Sequence, residues 1–257
     1  MATIISFVSQ KGGVGKTTSA VNLATAFAFG GYSVLLLDLD PQGSVRFSMG
    51  VKKVVKKGTK DIFLSPEIPL KDLIYQTEQN QLSFIFSNID TIKIEQQVYQ
   101  IANDSRFLLR RIQEEGQDFD FIIVDAPAST NSLAINAIYC SDLIIMPLQC
   151  ESLAIKSLKR FLLSFNELQR AIPEKNLRLA GILLTMYDRN VEVHRRVSQQ
   201  VYQALSDSVF ETIIPRNNAI VEASALGKSV ITYKLNSIGA TAYIRLMDEL
   251  VDKFSLR

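Results

Sequence analysis

The sequence has no tryptophan, one histidine and two cysteines in 257 residues. Two cysteines, Cys140 and Cys150, exclude a disulfide framework and a four-cysteine zinc site, and the lone His194 excludes a histidine-rich metal centre. A reducing, intracellular setting is the default for such a chain. No apolar run approaches the roughly 20 residues that span a bilayer. The start, Met1-Ala2-Thr3 leading into Ile4-Ile5-Ser6-Phe7-Val8, lacks the basic leader, long apolar region and cleavage site of a signal peptide. A soluble protein is expected. A strong charge of one sign is missing too: 28 Lys and Arg face 26 Asp and Glu, so the net charge of +2 does not by itself announce a polyanionic partner. At 47% hydrophobic and 21% charged, the composition excludes general disorder and supplies ample core.

What is present is a regular alternation. Short apolar runs at residues 4–8, 34–38, 82–86, 121–125, 143–147 and 179–185 read as strands. Amphipathic stretches at residues 16–29, 94–115, 152–171, 191–205 and 237–254 read as helices. Most strands are apolar at successive positions, as strands covered by helices on both faces must be. The expectation is a three-layer α/β fold, a mostly parallel sheet flanked by helices, with residues 1–257 as one domain. The least regular stretch, residues 51–81, opens on Val51-Lys52-Lys53-Val54-Val55-Lys56-Lys57-Gly58-Thr59-Lys60, with five lysines and no acid. A solvated loop is the simpler reading and an anion-binding surface the other.

Gln10-Lys11-Gly12-Gly13-Val14-Gly15-Lys16-Thr17-Thr18 directly follows the first strand and leads into an apolar-periodic helix. Glycines let a chain turn so that successive N–H groups face one anion, and a helix start adds partial positive charge. In such a loop Lys16 reaches the β and γ phosphates of a nucleotide, and the Thr17 hydroxyl ligates Mg²⁺. A plain glycine turn is the alternative. Asp38 and Asp40, at the end of Val34-Leu35-Leu36-Leu37-Asp38-Leu39-Asp40, lie two apart and share a face. Ligands of an open parallel sheet gather beyond the carboxyl ends of its strands, where this pair falls. Phe121-Ile122-Ile123-Val124-Asp125 has the Walker B form of four apolar residues and an acid, which gives Asp125 a place in a Mg²⁺ shell. An aspartate ending a strand can equally be a turn or cap residue.

The loop departs from the plain pattern G-x-x-x-x-G-K-[ST], with Gln10 where the first glycine belongs. Its form, K-G-G-x-G-K-T-T, is the deviant Walker A motif of the SIMIBI class of P-loop ATPases. Further strings agree: Asp38-Leu39-Asp40-Pro41-Gln42-Gly43, Ser87-Asn88-Ile89-Asp90, Pro147-Leu148-Gln149-Cys150-Glu151 and Ile214-Pro215-Arg216-Asn217. Over nearly its whole length the sequence resembles the ParA/Soj family of chromosome and plasmid partition ATPases. MinD and the nitrogenase iron protein are more distant relatives.

The resemblance implies a P-loop NTPase fold with ATP and Mg²⁺ as its cofactors. Lys11 would cross to the ATP of a second subunit in a sandwich homodimer, and Lys16 and Asp40 would be catalytic with it, Asp40 polarising the attacking water. Thr17, Asp38 and Asp125 would hold the metal, Asp38 through a bound water. Gly12, Gly13, Val14, Gly15 and Thr18 would complete the phosphate cradle, and Pro215, Arg216 and Asn217 the adenine pocket. The implied partners are non-specific DNA and a ParB-type protein that stimulates hydrolysis, in the cytoplasm on the nucleoid. Two departures stand out. Asp125-Ala126-Pro127-Ala128-Ser129 replaces D-x-P-P-S, and Ala219 stands where many relatives carry an arginine that helps bind DNA. With the first strand at the chain start, no helix-turn-helix extension is expected.

Residues 1–150 hold 13 basic and 15 acidic side chains and residues 151–257 hold 15 and 11, so DNA contacts would need local clustering. The best local candidate is the helix at residues 191–205. Its stripe of His194, Val197, Val201 and Leu205 leaves Arg195 and Arg196 outside. Arg189, Arg195 and Arg196 are the expected phosphate contacts, with Lys228 and Lys234 behind them. Stable membrane association is not expected, because the closing helix carries Arg245 and Lys253 against Asp248, Glu249 and Asp252 opposite its apolar stripe. Three alternatives remain open: a MinD-like membrane-associated regulator of division, a ParA-like positioner of a protein cargo, and a scaffold that binds nucleotide without hydrolysing it.

Overall fold

The first strand, β1 (Thr3–Phe7), sends Ile4 to one side of the sheet and Ile5 and Phe7 to the other, and all three are buried. The same division recurs in β2 (Val34–Asp38), where Leu35 and Leu37 face one core and Val34 and Leu36 the other. Two cores, one on each face, are the reason these strands are apolar at every position. The computed structural model describes residues 2–53, 55–76, 81–115, 118–173 and 175–256. Val54 and residues 77–80 of the irregular stretch lie outside the described residues.

After β1 and α1 (Lys16–Phe29) come β2, α2 (Ser44–Ser48), α3 (Thr59–Leu64), β3 (Tyr75–Gln76), β4 (Leu82–Ile85), α4 (Ile92–Ala102) and α5 (Phe107–Glu115). They are followed by β5 (Phe121–Asp125), α6 (Ser132–Cys140), β6 (Leu143–Gln149), α7 (Ala154–Ala171), β7 (Arg178–Thr185) and α8 (Glu192–Leu205). The chain then runs through α9 (Asn218–Ala225), α10 (Val230–Tyr233) and α11 (Ile238–Phe254). The sheet has the order β3-β4-β2-β5-β1-β6-β7, and only β3 runs antiparallel, on β4. Helices α3 to α8 cover one face; α1, α9, α10 and α11 cover the other. The expected three-layer, mostly parallel architecture is what forms.

One expected helix, at residues 94–115, is two. The chain breaks between Ala102 and Phe107, and buried Asn136 of α6 takes over the freed backbone groups. Its Nδ2 donates to the carbonyls of Ala102 (2.7 Å) and Asp104 (3.3 Å), and its Oδ1 accepts from Leu108 N (3.1 Å). Each of those groups left bare would cost about 1–3 kcal/mol, so one asparagine on a distant helix makes the break tolerable.

The stripe of the closing helix is buried. Tyr243, Leu246 and Leu250 of α11 pack with α1 in the second core. No helix among the described residues is long and apolar enough to cross a membrane.

Candidate nucleotide-binding site

β1, β2 and β5 end together at one edge of the sheet. Phe7 and Asp38 both stand in register with Asp125, on either side of it. The loop from Val8 to Lys16 leaves this edge and returns as α1. Gly15 (φ +87°) precedes the helix in the left-handed region and Gly13 (φ +74°) shares that region, where a side chain would be strained. Among the described residues no side chain caps the first turn of α1, so its leading N–H groups are left for an anion. A Cβ added to Gly12 or Gly13 would meet nothing within 4 Å, so the concave side of the loop is open. From the far side, Thr185 Oγ1 at the end of β7 donates to the Val14 carbonyl (2.9 Å) and fixes the loop's height above the sheet.

Lys16 is buried, at 7% exposure. Burial pushes its ammonium pKa down, opposed by the charges of Asp125 and Asp40 nearby. Thr17 Oγ1 donates to Asp125 Oδ2 at 2.6 Å. Asp125 is pushed up to about 7, chiefly by burial, with the Thr17 hydrogen bond pulling the other way. Asp38 is raised well above the carboxylate range by burial and then by the charges of Asp125 and Asp40. Its Oδ1 accepts from Asp40 N (3.1 Å), while Asp40 Oδ1 accepts from Gln42 N (3.0 Å). Asp38 Oδ2 and Asp125 Oδ1 are buried with no hydrogen-bond partner among the described residues. Buried, unpaired carboxylate oxygens facing like charges are expensive, and a cation would relieve them. Among the described residues no three His, Cys, Asp or Glu side chains are arranged to hold a metal unaided. That suits Mg²⁺, which keeps waters and takes one or two carboxylates together with phosphate oxygens. Thr17, Asp38 and Asp125 therefore fit the ion.

The crowding has a measurable consequence. Asp38→Asn removes a carboxyl whose ionisation is opposed by burial and by Asp125 and Asp40, a cost to the folded state near neutral pH, while keeping an acceptor for Asp40 N. It is expected to stabilise the nucleotide-free protein by about 1–2 kcal/mol, a rise of roughly 2–8 °C in melting temperature at this size. Thermal unfolding without nucleotide checks this, and a lower melting temperature would contradict it.

Lys11 points elsewhere. Its Nζ donates to Glu151 Oε2 at 2.5 Å, beyond the end of β6. A cavity of about 510 Å³ opens beside Gly15 and Thr18 and is lined further on by Met186, Pro215, Arg216 and Asn217. Asn217 Oδ1 is buried there without a partner among the described residues, and Met186 (φ +49°) is held in the left-handed region. The structure thus brings Lys11 to Thr18, Asp38, Asp40, Asp125 and residues 215–217 around one loop.

It does not unite the expected DNA contacts. Arg189, Arg195 and Arg196 are exposed at the start of α8, where Arg196 pairs with Glu192 (2.8 Å) and Arg195 Nη1 donates to the Arg189 carbonyl (3.3 Å). Lys228 and Lys234 are exposed at the two ends of α10. Ala219, at 6% exposure, faces the core and offers no surface. His194 is a packed histidine whose Nδ1 accepts from Asp188 N (3.0 Å).

Sequence reasoning missed two features of the site. Glu151 had no assigned role, and its tie to Lys11 spans 140 positions with no local signal. The second is a network at the loop after β5. Asn131 caps α6 and its Nδ2 donates to Tyr99 Oη (2.9 Å), while Tyr99 donates to Glu95.

A polyphosphate with a divalent cation is what this edge can hold, and the class of protein it defines is the P-loop NTPases. Comparisons agree. A family model described as "AAA domain" matches residues 2–179. The chromosome partitioning protein ParA of Caulobacter vibrioides is 34% identical over 253 residues, 97% of this chain and 94% of that one. The sporulation initiation inhibitor protein Soj of Bacillus subtilis is 35% identical over 251 residues, 97% and 98% of the two chains. The chain belongs to the ParA/Soj family of partition proteins. Among solved structures, MinD of Pyrococcus horikoshii complexed with Mg-ADP has a TM-score of 0.82 at 29% identity, covering 99% of this chain and 98% of that one. Cobyrinic acid a,c-diamide synthase of Mycobacterium smegmatis, with bound ADP and magnesium, has the same TM-score and identity, with 99% and 96% covered.

Proposed function

We propose that this chain, acting as one domain, is an ATP-dependent partition ATPase, and that ATP closes two copies into a sandwich that holds DNA without sequence preference. The observation that supports this best is the joining of Lys16, Thr17 and three carboxylates around one open glycine loop. The loop N–H groups and Lys16 bind and orient the β and γ phosphates. Thr17, Asp38 and Asp125 hold Mg²⁺, which when bound neutralises charge on the transferring phosphoryl group. Asp40, at the mouth, orients the attacking water and accepts its proton. Lys11 leaves Glu151 and reaches the triphosphate of the second copy, adding positive charge from the opposite side. Hydrolysis, stimulated by a ParB-type partner, removes the anion that both copies grip and releases the nucleoid-bound dimer.

Lys11→Ala is expected to bind ATP as a monomer and to hydrolyse it at least about a hundredfold more slowly, the range of one lost electrostatic donor. Light scattering with ATP checks this, and normal ATP-dependent dimers in that variant would refute the crossing lysine. The reading as a whole is tested by retention on DNA with ATP, ADP or no nucleotide across a salt series. Retention with ATP alone, weakening as salt rises, is expected. Equal retention in all three states would contradict it.

A further inference from the structure

The lysine-rich stretch after α2 is anchored at several of its described residues. At its start two backbones touch: Gly50 (φ +68°) lies against Gly227 (φ +67°), and a Cβ on Gly227 would sit 2.2 Å from Gly50 Cα. Only two glycines allow this approach. It carries Lys228, the residue after Gly227, beside the stretch that begins at Val51. Arg46 Nη1 donates to the Lys53 carbonyl (3.4 Å), and Asn88 Nδ2 donates to the Lys56 carbonyl (3.3 Å). Val55 is buried in the second core, at 7% exposure. Gly58 closes the stretch: a Cβ there would lie 2.1 Å from the Phe86 carbonyl oxygen, and Gly58 N donates to Asp61 Oδ2 (2.8 Å).

Between these anchors Lys52, Lys53, Lys56 and Lys57 are exposed, as is Lys228. Among the described residues no carboxylate forms an ion pair with any of them. The nearby acids are occupied or few. Asp61 Oδ2 accepts from Gly58 N and Asn88 Nδ2, Glu222 accepts from Tyr233, and Asp90 is exposed two residues beyond Asn88. The start of α8 is poorer by comparison, since Arg196 is already matched by Glu192.

We infer that Lys52, Lys53, Lys56, Lys57 and Lys228 form a principal surface for the phosphate backbone of duplex DNA. The inference rests on the DNA-binding reading above and names where the contact lies. An anchored backbone spares the cost of ordering the loop when its lysines meet a row of phosphates, and each contact releases condensed counterions. A lipid surface fits less well, because Val51 and Val55 pack inward against the second core. The exposed Phe47 on α2, under the Arg46 guanidinium at 4.6 Å, is the reason for a vesicle arm in the test.

The test compares wild type with Lys52→Gln, Lys53→Gln, Lys56→Gln and Lys57→Gln combined, and with the Lys56→Gln, Lys57→Gln pair alone. Both are titrated, with ATP and Mg²⁺, against a mixed-sequence duplex and against phosphatidylglycerol vesicles over a salt series. The fourfold variant should bind duplex on the order of a hundredfold more weakly at physiological salt, with a salt slope shallower by about 3; the pair should lose about half that slope. Wild-type affinity and slope in the fourfold variant would overturn the surface alone, as would loss of vesicle binding with duplex binding intact. Failure of the wild type to hold duplex with ATP would instead bring down the functional reading, and this inference with it.

Discussion

Replacing Lys16 with alanine is expected to lower ATP affinity at least about a hundredfold. The ammonium is buried at the start of α1, and Asp125 and Asp40 oppose the loss of its charge. A charge-assisted hydrogen bond contributes about 1.5–3 kcal/mol, and 1.4 kcal/mol is tenfold in affinity. The truncation also leaves three carboxylates near the incoming phosphates with their buried cation gone, so repulsion adds to the lost contact. Arginine should not rescue, because its planar fork is larger than the space a point charge fills. Calorimetric titration with ATP and Mg²⁺ is the check, and wild-type affinity in Lys16→Ala would place the phosphates elsewhere.

Asp40→Ala separates binding from chemistry. Hydrolysis is expected to fall by about 10² to 10⁴, the usual contribution of a positioned base, while ATP affinity stays within a few-fold of wild type. Asp40 is half-exposed at the mouth and its Oδ1 is held by Gln42 N, so the carboxylate is fixed but accessible to water. Asp38 and Asp125 stay in place for the metal. Phosphate release under saturating ATP measures the effect. Hydrolysis at the wild-type rate would remove Asp40 from the reaction, and loss of affinity instead of rate would make it a binding residue.

The sheet was legible because its strands are buried on both faces, which leaves an uninterrupted apolar signature in β1, β2, β5 and β6. The glycine loop was legible because its residues are contiguous: Gly12 to Thr18 carry their own geometry wherever the rest of the chain goes. What escaped depends on partners far apart in sequence. The break between α4 and α5 exists because Asn136 arrives from another helix, and nothing within residues 94–115 reveals it. The two-residue edge strand Tyr75–Gln76 is too short to leave a period, as are α2, α3 and α10. Glu151 was visible in a family string, yet its hold on Lys11 appears only when the ends of β1 and β6 are brought together. Likewise, the lysine run reads as solvent-facing charge until Gly227 is seen against Gly50.

We propose that the nucleotide in this loop joins two copies of the chain. Light scattering on Asp40→Ala with ATP and Mg²⁺ is the decisive experiment, since slow hydrolysis holds the bound state. A mass of two chains with ATP and of one chain with ADP is the predicted result. A single-chain mass with ATP demonstrably bound would contradict it.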